Sequence, residues 1–248
     1  MPIALKTTSL PDAVYEALRT SIVTTEVAPG TLLTETAVAV QFGVARPTAK
    51  TAIERLVAEG LLSRQAHRAA RVTELSRHDI IDVYAARALI EEAALRGLAQ
   101  KSVVPTAALS AQRDLVAAAD RDDRPALVRD DIAFHRALVI GHDSARLGRM
   151  HDIIMGEVEL CIGQVQYHGL MSPTEIADSH QHILDAITAG NADAAGTLVR
   201  LHIEGARDKL LLKFDLDHPG ADPGLDLAPG TATATATAHL DITTTQEG

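Results

Sequence analysis

The chain has 248 residues, 46% of them hydrophobic but only 2% aromatic, with no Trp. That apolar content excludes wholesale disorder, and a core with so few rings must be filled by Ala, Leu, Val and Ile, of which Ala and Leu favour helix. The formal charge is −10, yet residues 1–75 hold eight Lys/Arg against seven Asp/Glu, so the acidic excess falls on the remainder. One cysteine, Cys161, excludes an intrachain disulfide. No apolar run reaches the roughly 18–20 residues of a membrane span. The opening MPIALKTTSL lacks the basic start and long apolar stretch of a signal peptide. A cytoplasmic protein with no membrane partner is expected.

In chain order, residues 10–26 carry Val14, Leu18 and Ile22 at four-residue spacing, which predicts an amphipathic helix. Ala28-Pro29-Gly30 breaks it. Thr34 suits the N-cap of a short helix over 35–41, and Gly43 its C-terminal turn. A third helix over 46–59 places Ala49, Ala52, Ile53 and Leu56 inward, and Gly60 ends it. Residues 61–64 and 70–72 are expected to be strands joined by a turn over 66–69. Three helices followed by a hairpin is the plan of a winged helix-turn-helix, whose third helix enters the major groove.

The cluster Arg46, Lys50, Arg55, Arg64, Arg68 and Arg71, against Glu54 and Glu59 alone, is what a phosphate backbone would feel. Arg46, Thr48, Lys50 and Thr51 at the start of the third helix are the candidate contacts to bases and phosphates. His67 and Arg68 at the hairpin tip are the candidates for an adjacent groove or backbone.

From about 76 to 213 only helical periodicity is found. Six helices are expected, over 77–100, 105–120, 124–142, 145–168, 174–189 and 192–213, and their short connections imply an antiparallel bundle. Residues 214–248, rich in Asp, Pro and Gly and then alternating Thr-Ala, offer no stripe to bury and are expected to be a disordered low-complexity tail. The fold class is thus mainly α: a winged helix-turn-helix over 8–75 and an all-α antiparallel bundle over 76–213.

Asp131 and His135 stand four residues apart on one predicted face, flanked by the apolar Phe134 and Leu138. A carboxylate and an imidazole in a core need a partner, and a divalent metal would satisfy both. His180 shares a stripe with Ile183, Leu184 and Ile187, whereas His182 should face solvent. His202 shares one with Leu198, Ala206 and Leu210. Three His and one Asp suit Zn²⁺, Ni²⁺, Fe²⁺ or Mn²⁺ better than Ca²⁺ or Mg²⁺. Arg87 and Glu91 are an i,i+4 pair, but Arg87 falls on the stripe of Ile80, Val83 and Ile90, so an anionic partner is expected. The other histidines, His67 aside, are expected at the surface.

The stretch APGTLLTETAVAVQFGVARPTAKTAIERLVAEGLL, with its Pro-Gly turn, Leu-x-Glu helix start, Phe-Gly-Val, Arg and closing Glu-Gly-Leu, resembles the DNA-binding domain of GntR-type regulators. YAARALIE, DIAFH, HQHILDAITAGNADAA and the later His202 resemble the all-helical FCD effector domain of the FadR branch, and six helices resemble its VanR-type subgroup. The resemblance implies a metal at Asp131, His135, His180 and His202 beneath a ligand cavity that Arg87 faces. It implies a homodimeric regulator of double-stranded operator DNA, released as a repressor by a small carboxylate metabolite. A metal-responsive regulator and a metal-dependent enzyme are the alternatives, although no nucleophile motif or separate general base supports the enzyme. Two departures stand out. The family's Ser-Arg-Thr-Pro-Val-Arg-Glu-Ala is Ala45-Arg46-Pro47-Thr48-Ala49-Lys50-Thr51-Ala52 here, and Lys is less suited than Arg to bidentate reading of guanine. At the wing an Arg-Gly pair is Arg68-Ala69, where Ala would be strained if the tip needed positive φ.

Overall fold

The computed structural model describes residues 9–65 and 68–219. The first helix, α1 (Leu10–Val23), is capped by Ser9, carries Pro11 in its first turn and buries Val14, Leu18 and Ile22. It stops at Val23 rather than at 26, because Thr24 caps it and Thr25 turns to positive φ. α2 (Glu35–Phe42) begins at Thr34, whose hydroxyl accepts from the Ala37 N–H at 3.1 Å, a cap worth about 1 kcal/mol. Gly43, at φ 61°, ends it in the left-handed conformation that costs glycine least, and α3 (Arg46–Ala58) follows after this tight turn.

The hairpin forms as β2 (Leu62–Ser63) and β3 (Ala70–Val72). A further short strand, β1 (Leu32–Leu33), pairs with β3, giving the antiparallel order β1-β3-β2. Two residues after a Pro-Gly turn carry too little alternation to be legible as a strand; the pairing with Arg71 and Ala70 makes them one. Ala69 is not among the residues at positive φ, so the strain expected at that wing position does not arise.

Six helices follow: α4 (Arg77–Gln100), α5 (Thr106–Asp120), α6 (Arg124–Gly141), α7 (Ala145–Tyr167), α8 (Pro173–Thr188) and α9 (Ala192–Asp217). Ser76 with Asp79, and Ser172 with Glu175, form reciprocal capping boxes at the starts of α4 and α8. α4 and α9 lie antiparallel along their length, with Arg77 bonded to Asp215 at one end and Arg96 to Asp193 at the other. α9 runs to Asp217, beyond the expected 213: Phe214 still packs against the core, which holds the last turn in place. The remaining tail residues expected to be disordered, from 220 on, lie outside the described residues.

One continuous apolar core joins the three-helix head to the bundle, and the interface runs along α7. A Cβ on Gly156 would fall on the carbonyl oxygen of Glu59, at the end of α3, and one on Gly163 would fall on that of Val23, at the end of α1. Both glycines therefore let backbone pack on backbone. Between them, Glu159 accepts from Arg19 of α1 and lies 3.5 Å from Arg136 of α6.

Candidate functional site

Two sites are built on this frame. The first is the outer face of the head. Ala45 precedes α3 without a side-chain cap bond; Pro47 has no N–H to cap, and the Thr48 N–H donates to the Ala45 carbonyl at 2.9 Å. Arg46, Lys50 and Thr51 are exposed there, and Thr48 is half-buried. Thr51 Oγ1 donates back to the Pro47 carbonyl at 3.0 Å, leaving its lone pairs outward.

The basic cluster divides into two kinds. Arg55 donates to Asp12 at 2.6 Å and stacks over the Tyr15 ring at 3.7 Å. Arg71 donates to the Gly30 carbonyl. Arg64 donates to Glu35 at 3.1 Å and to the Arg68 carbonyl at 3.1 Å. These three hold the head together. Arg46, Lys50 and Arg68 line an open groove between α3 and the hairpin. Arg46 and Lys50 also face carboxylates, Glu35 and Glu54, but each only at 3.6 Å and with more than half of its side chain exposed. His67 lies outside the described residues.

The second site is inside the bundle. Asp131 and His135 from α6, His180 from α8 and His202 from α9 bring one ligand atom each within 4.8 Å of one another. Asp131 Oδ1 lies 3.5 Å from His135 Nε2 and 3.4 Å from His180 Nε2. All three atoms are buried without a hydrogen bond. The other ring nitrogens are held from behind: His135 Nδ1 by Glu91 at 2.6 Å, His180 Nδ1 by Gln112 at 3.2 Å and His202 Nδ1 by Ser179 at 2.8 Å. Imidazoles anchored at one nitrogen, with the other turned toward a shared carboxylate, are the arrangement that metal-binding histidines require. The chemistry of the donor set fits a divalent transition metal.

The charge states of three of the four donors suit a metal; the exception is His135, which burial pushes down but Glu91 and Asp131 raise above its usual value, so an incoming ion has to displace its proton. Burial pushes Asp131 up, but the neighbouring imidazoles outweigh it and hold the carboxyl well below its usual range. Burial pushes His180 down, and burial with the nearby His180 and His135 pushes His202 well down, which keeps both rings neutral and their lone pairs available. Glu91, likewise, would be raised by burial, but His135 and Arg87 hold it well below the carboxylate range.

Arg87 forms the expected pair, with Nε donating to Glu91 at 2.8 Å, but deep in the core and not on a solvated helix face. Its Nη2 and the Tyr84 hydroxyl are buried without partners. Both groups line a narrow cavity with Asp131, His202, Ile162, Val165 and Met171. His182 is exposed, as periodicity predicts. His151, expected at the surface, is instead buried on α7, with Nε2 3.5 Å from Glu91. The periodic signal for His151 is present, since it shares a stripe with Met155, Val158 and Ile162, all buried. The partners of Gln112 and Ser179 lie on other helices and leave no such signal.

A head with an exposed basic helix, joined to a bundle holding a buried His/Asp set, defines a DNA-binding regulator. The model of the bacterial regulatory proteins of the gntR family matches residues 10–72, and the FCD domain model matches residues 82–205. The chain belongs to the GntR family, in its FadR-like, FCD-containing branch. It is 25% identical over 198 residues, 79% of this chain and 83% of the other, to an HTH-type transcriptional regulator in an unstable DNA locus of Streptomyces ambofaciens. It is also 25% identical over 178 residues, 70% of this chain and 76% of the other, to a Paenarthrobacter nicotinovorans protein named "Probable D-xylose utilization operon transcriptional repressor". The crystal structure of a GntR transcriptional regulator from Rhodococcus sp. RHA1 superposes with a TM-score of 0.70 at 25% identity, covering 81% of this chain and 97% of that one. E. coli McbR/YncC shares the fold at a TM-score of 0.68 and 18% identity, over 83% and 99% of the two chains. Regulators of this family bind operator DNA and are not enzymes. Among the described residues no helix is long and apolar enough to cross a membrane.

Proposed function

We propose that this regulator is a homodimeric repressor whose grip on a palindromic operator is released by a small carboxylate bound in the bundle. The observation that carries this reading is a set of buried polar atoms left without hydrogen bonds: Asp131 Oδ1, Arg87 Nη2 and the Tyr84 hydroxyl on residues of the cavity wall, and His135 Nε2 and His180 Nε2 behind them, 3.5 and 3.4 Å from Asp131 Oδ1. Burying such groups unpaired costs about 1–3 kcal/mol each, so a fold that keeps five of them together is organised around a ligand.

Asp131, His135, His180 and His202 would hold the metal, zinc in the first instance, with nickel, iron and manganese compatible with the same donors. When bound, a divalent ion supplies a Lewis-acidic coordination position at the cavity floor. Arg87 Nη2 donates to the carboxylate, and the hydroxyl of Tyr84 is placed to do the same. Glu91 fixes both Arg87 and His135, so one carboxylate sets the geometry of the ligand contact and of one imidazole.

The head, 8–75, contacts DNA through Arg46, Thr48, Lys50 and Thr51 on α3 and through His67 and Arg68 at the wing. The bundle, 76–213, senses and dimerises. α4 and α9 keep Ile81, Leu89, Leu201 and Leu212 exposed on their outer faces, an apolar surface that suits a second copy. α7 links the two functions: Ile162 and Val165 line the cavity, while Gly156, Glu159 and Gly163 on a separate face carry the head. A small rotation of α7 therefore reorients both heads of a dimer, and a coupling of about 1–3 kcal/mol suffices for release.

The test is a titration of operator affinity against a panel of small carboxylates, with zinc and with chelator. At least one carboxylate should weaken binding in the presence of zinc and lose that effect in Arg87→Ala. Affinity indifferent to the whole panel rejects the reading, and a response to zinc alone marks a metal sensor instead.

A further inference from the structure

The groove between α3 and the wing is lined by two acidic residues: Glu54, which pairs with Lys50 one turn away on α3 at 3.6 Å, and Glu35, which a DNA-facing surface would not be expected to keep. Glu35, the first residue of α2, lies between the two basic elements. Its Oε1 accepts from Arg64 at 3.1 Å, and its Oε2 lies 3.6 Å from Arg46 Nη2. Arg64 in turn donates to the Arg68 carbonyl on the far side of the hairpin turn. One carboxylate thus ties the recognition helix, the helix before it and the wing together.

A carboxylate in this position repels the phosphates that Arg46, Lys50 and Arg68 attract, so it lowers affinity for any duplex. Its two partners differ in what they can do about that. The Arg64 side chain is 28% exposed and bonded at two points, whereas the Arg46 side chain is 68% exposed and has only the longer contact. Arg64 is held; Arg46 is parked.

We propose that Glu35 is a specificity-determining positioning residue for DNA recognition. Through Arg64 it sets the wing relative to α3. By pairing with Arg46 it holds that guanidinium in place until a correctly placed base edge or phosphate displaces the carboxylate. A duplex that does not present an acceptor there leaves Arg46 on Glu35, and the repulsion from the carboxylate remains unrelieved. The ion pair acts as a competitor against wrong sequences, which is specificity gained by penalising the alternative.

The experiment uses the full-length protein and a duplex selected by it from a random-sequence library, compared with a scrambled duplex of the same length and composition. Affinities are measured by fluorescence anisotropy over a salt series for the wild type, Glu35→Gln and Glu35→Asp, with thermal melts to verify folding. Glu35→Gln should bind the scrambled duplex several-fold more tightly, with a salt slope steeper by about one as Arg46 is freed for a phosphate. Its selected-to-scrambled affinity ratio should fall about tenfold, the size of one base contact losing discrimination. Glu35→Asp keeps the charge but is too short to reach both guanidiniums; it should lose the ratio without gaining affinity for the scrambled duplex. An unchanged ratio in a folded Glu35→Gln protein overturns the proposal. So does a parallel fall of both affinities with an unchanged salt slope, the result expected if Glu35 only holds the head together.

Discussion

Glu35 and Glu91 are the same residue type doing related work in opposite surroundings. Each carboxylate lies among basic side chains, Arg46 and Arg64 for one, Arg87, His135 and His151 for the other. Glu35 is half-buried at the edge of an open groove, and its partner Arg46 is exposed, so that pair is screened and worth little. Glu91 is completely buried, and each partner it holds would be left as an uncompensated polar group if it were removed. The head is built from ion pairs that can be traded; the bundle is built from polar contacts that cannot. A DNA-reading surface needs the first property and a preorganised ligand site the second.

The comparison is broken most directly at Glu91. Glu91→Ala should lose about 3–5 kcal/mol of stability, because Arg87 is left charged and unpaired in the core; chemical denaturation measures it, and a loss below about 1 kcal/mol would show that the network is not what holds this region. Zinc at about a hundred times its dissociation constant should add about 2.7 kcal/mol to the wild type. His180→Ala should abolish that gain and the stoichiometric heat of zinc binding in calorimetry.

The head answers to a different readout. Arg46→Ala should weaken binding to a selected duplex by about 10- to 100-fold, the 1–3 kcal/mol of a lost base contact, and leave zinc binding as it was. Gly163→Ala places a methyl against the Val23 carbonyl and should cost about 1–3 kcal/mol of stability; the sharper expectation is that DNA affinity then stops following the state of the bundle. The smallest effect belongs to Glu35→Ala, within about 1 kcal/mol in thermal stability. Equal costs for Glu35→Ala and Glu91→Ala would remove the contrast between the two regions.

Local signals carried most of the fold. Thr34 and Gly43 bracket α2, Ser76 with Asp79 opens α4, and Asn191 opens α9, all through contacts within four residues in sequence. The four inward residues Asp131, His135, His180 and His202 were legible for the same reason: each lies on an apolar stripe of its own helix. What stayed hidden depends on partners distant in the chain. β1 exists only because β3 returns to it. The contact of His151 with Glu91 spans sixty residues of chain, and Gln112 and Ser179 matter through rings on other helices. Which members of the basic cluster are tied into the head likewise rests on Asp12, Tyr15, Gly30 and Glu35, none of which adjoins the arginine it engages.

The two glycines of α7 have a mechanical consequence. Gly156 and Gly163 are two helical turns apart, about 10 Å along the axis, and each seats a different helix end of the head. A body resting on one point of a rod can pivot; a body resting on two must turn with it. α7 therefore acts as a shaft more than as a hinge: when it turns, the head is carried round as one body.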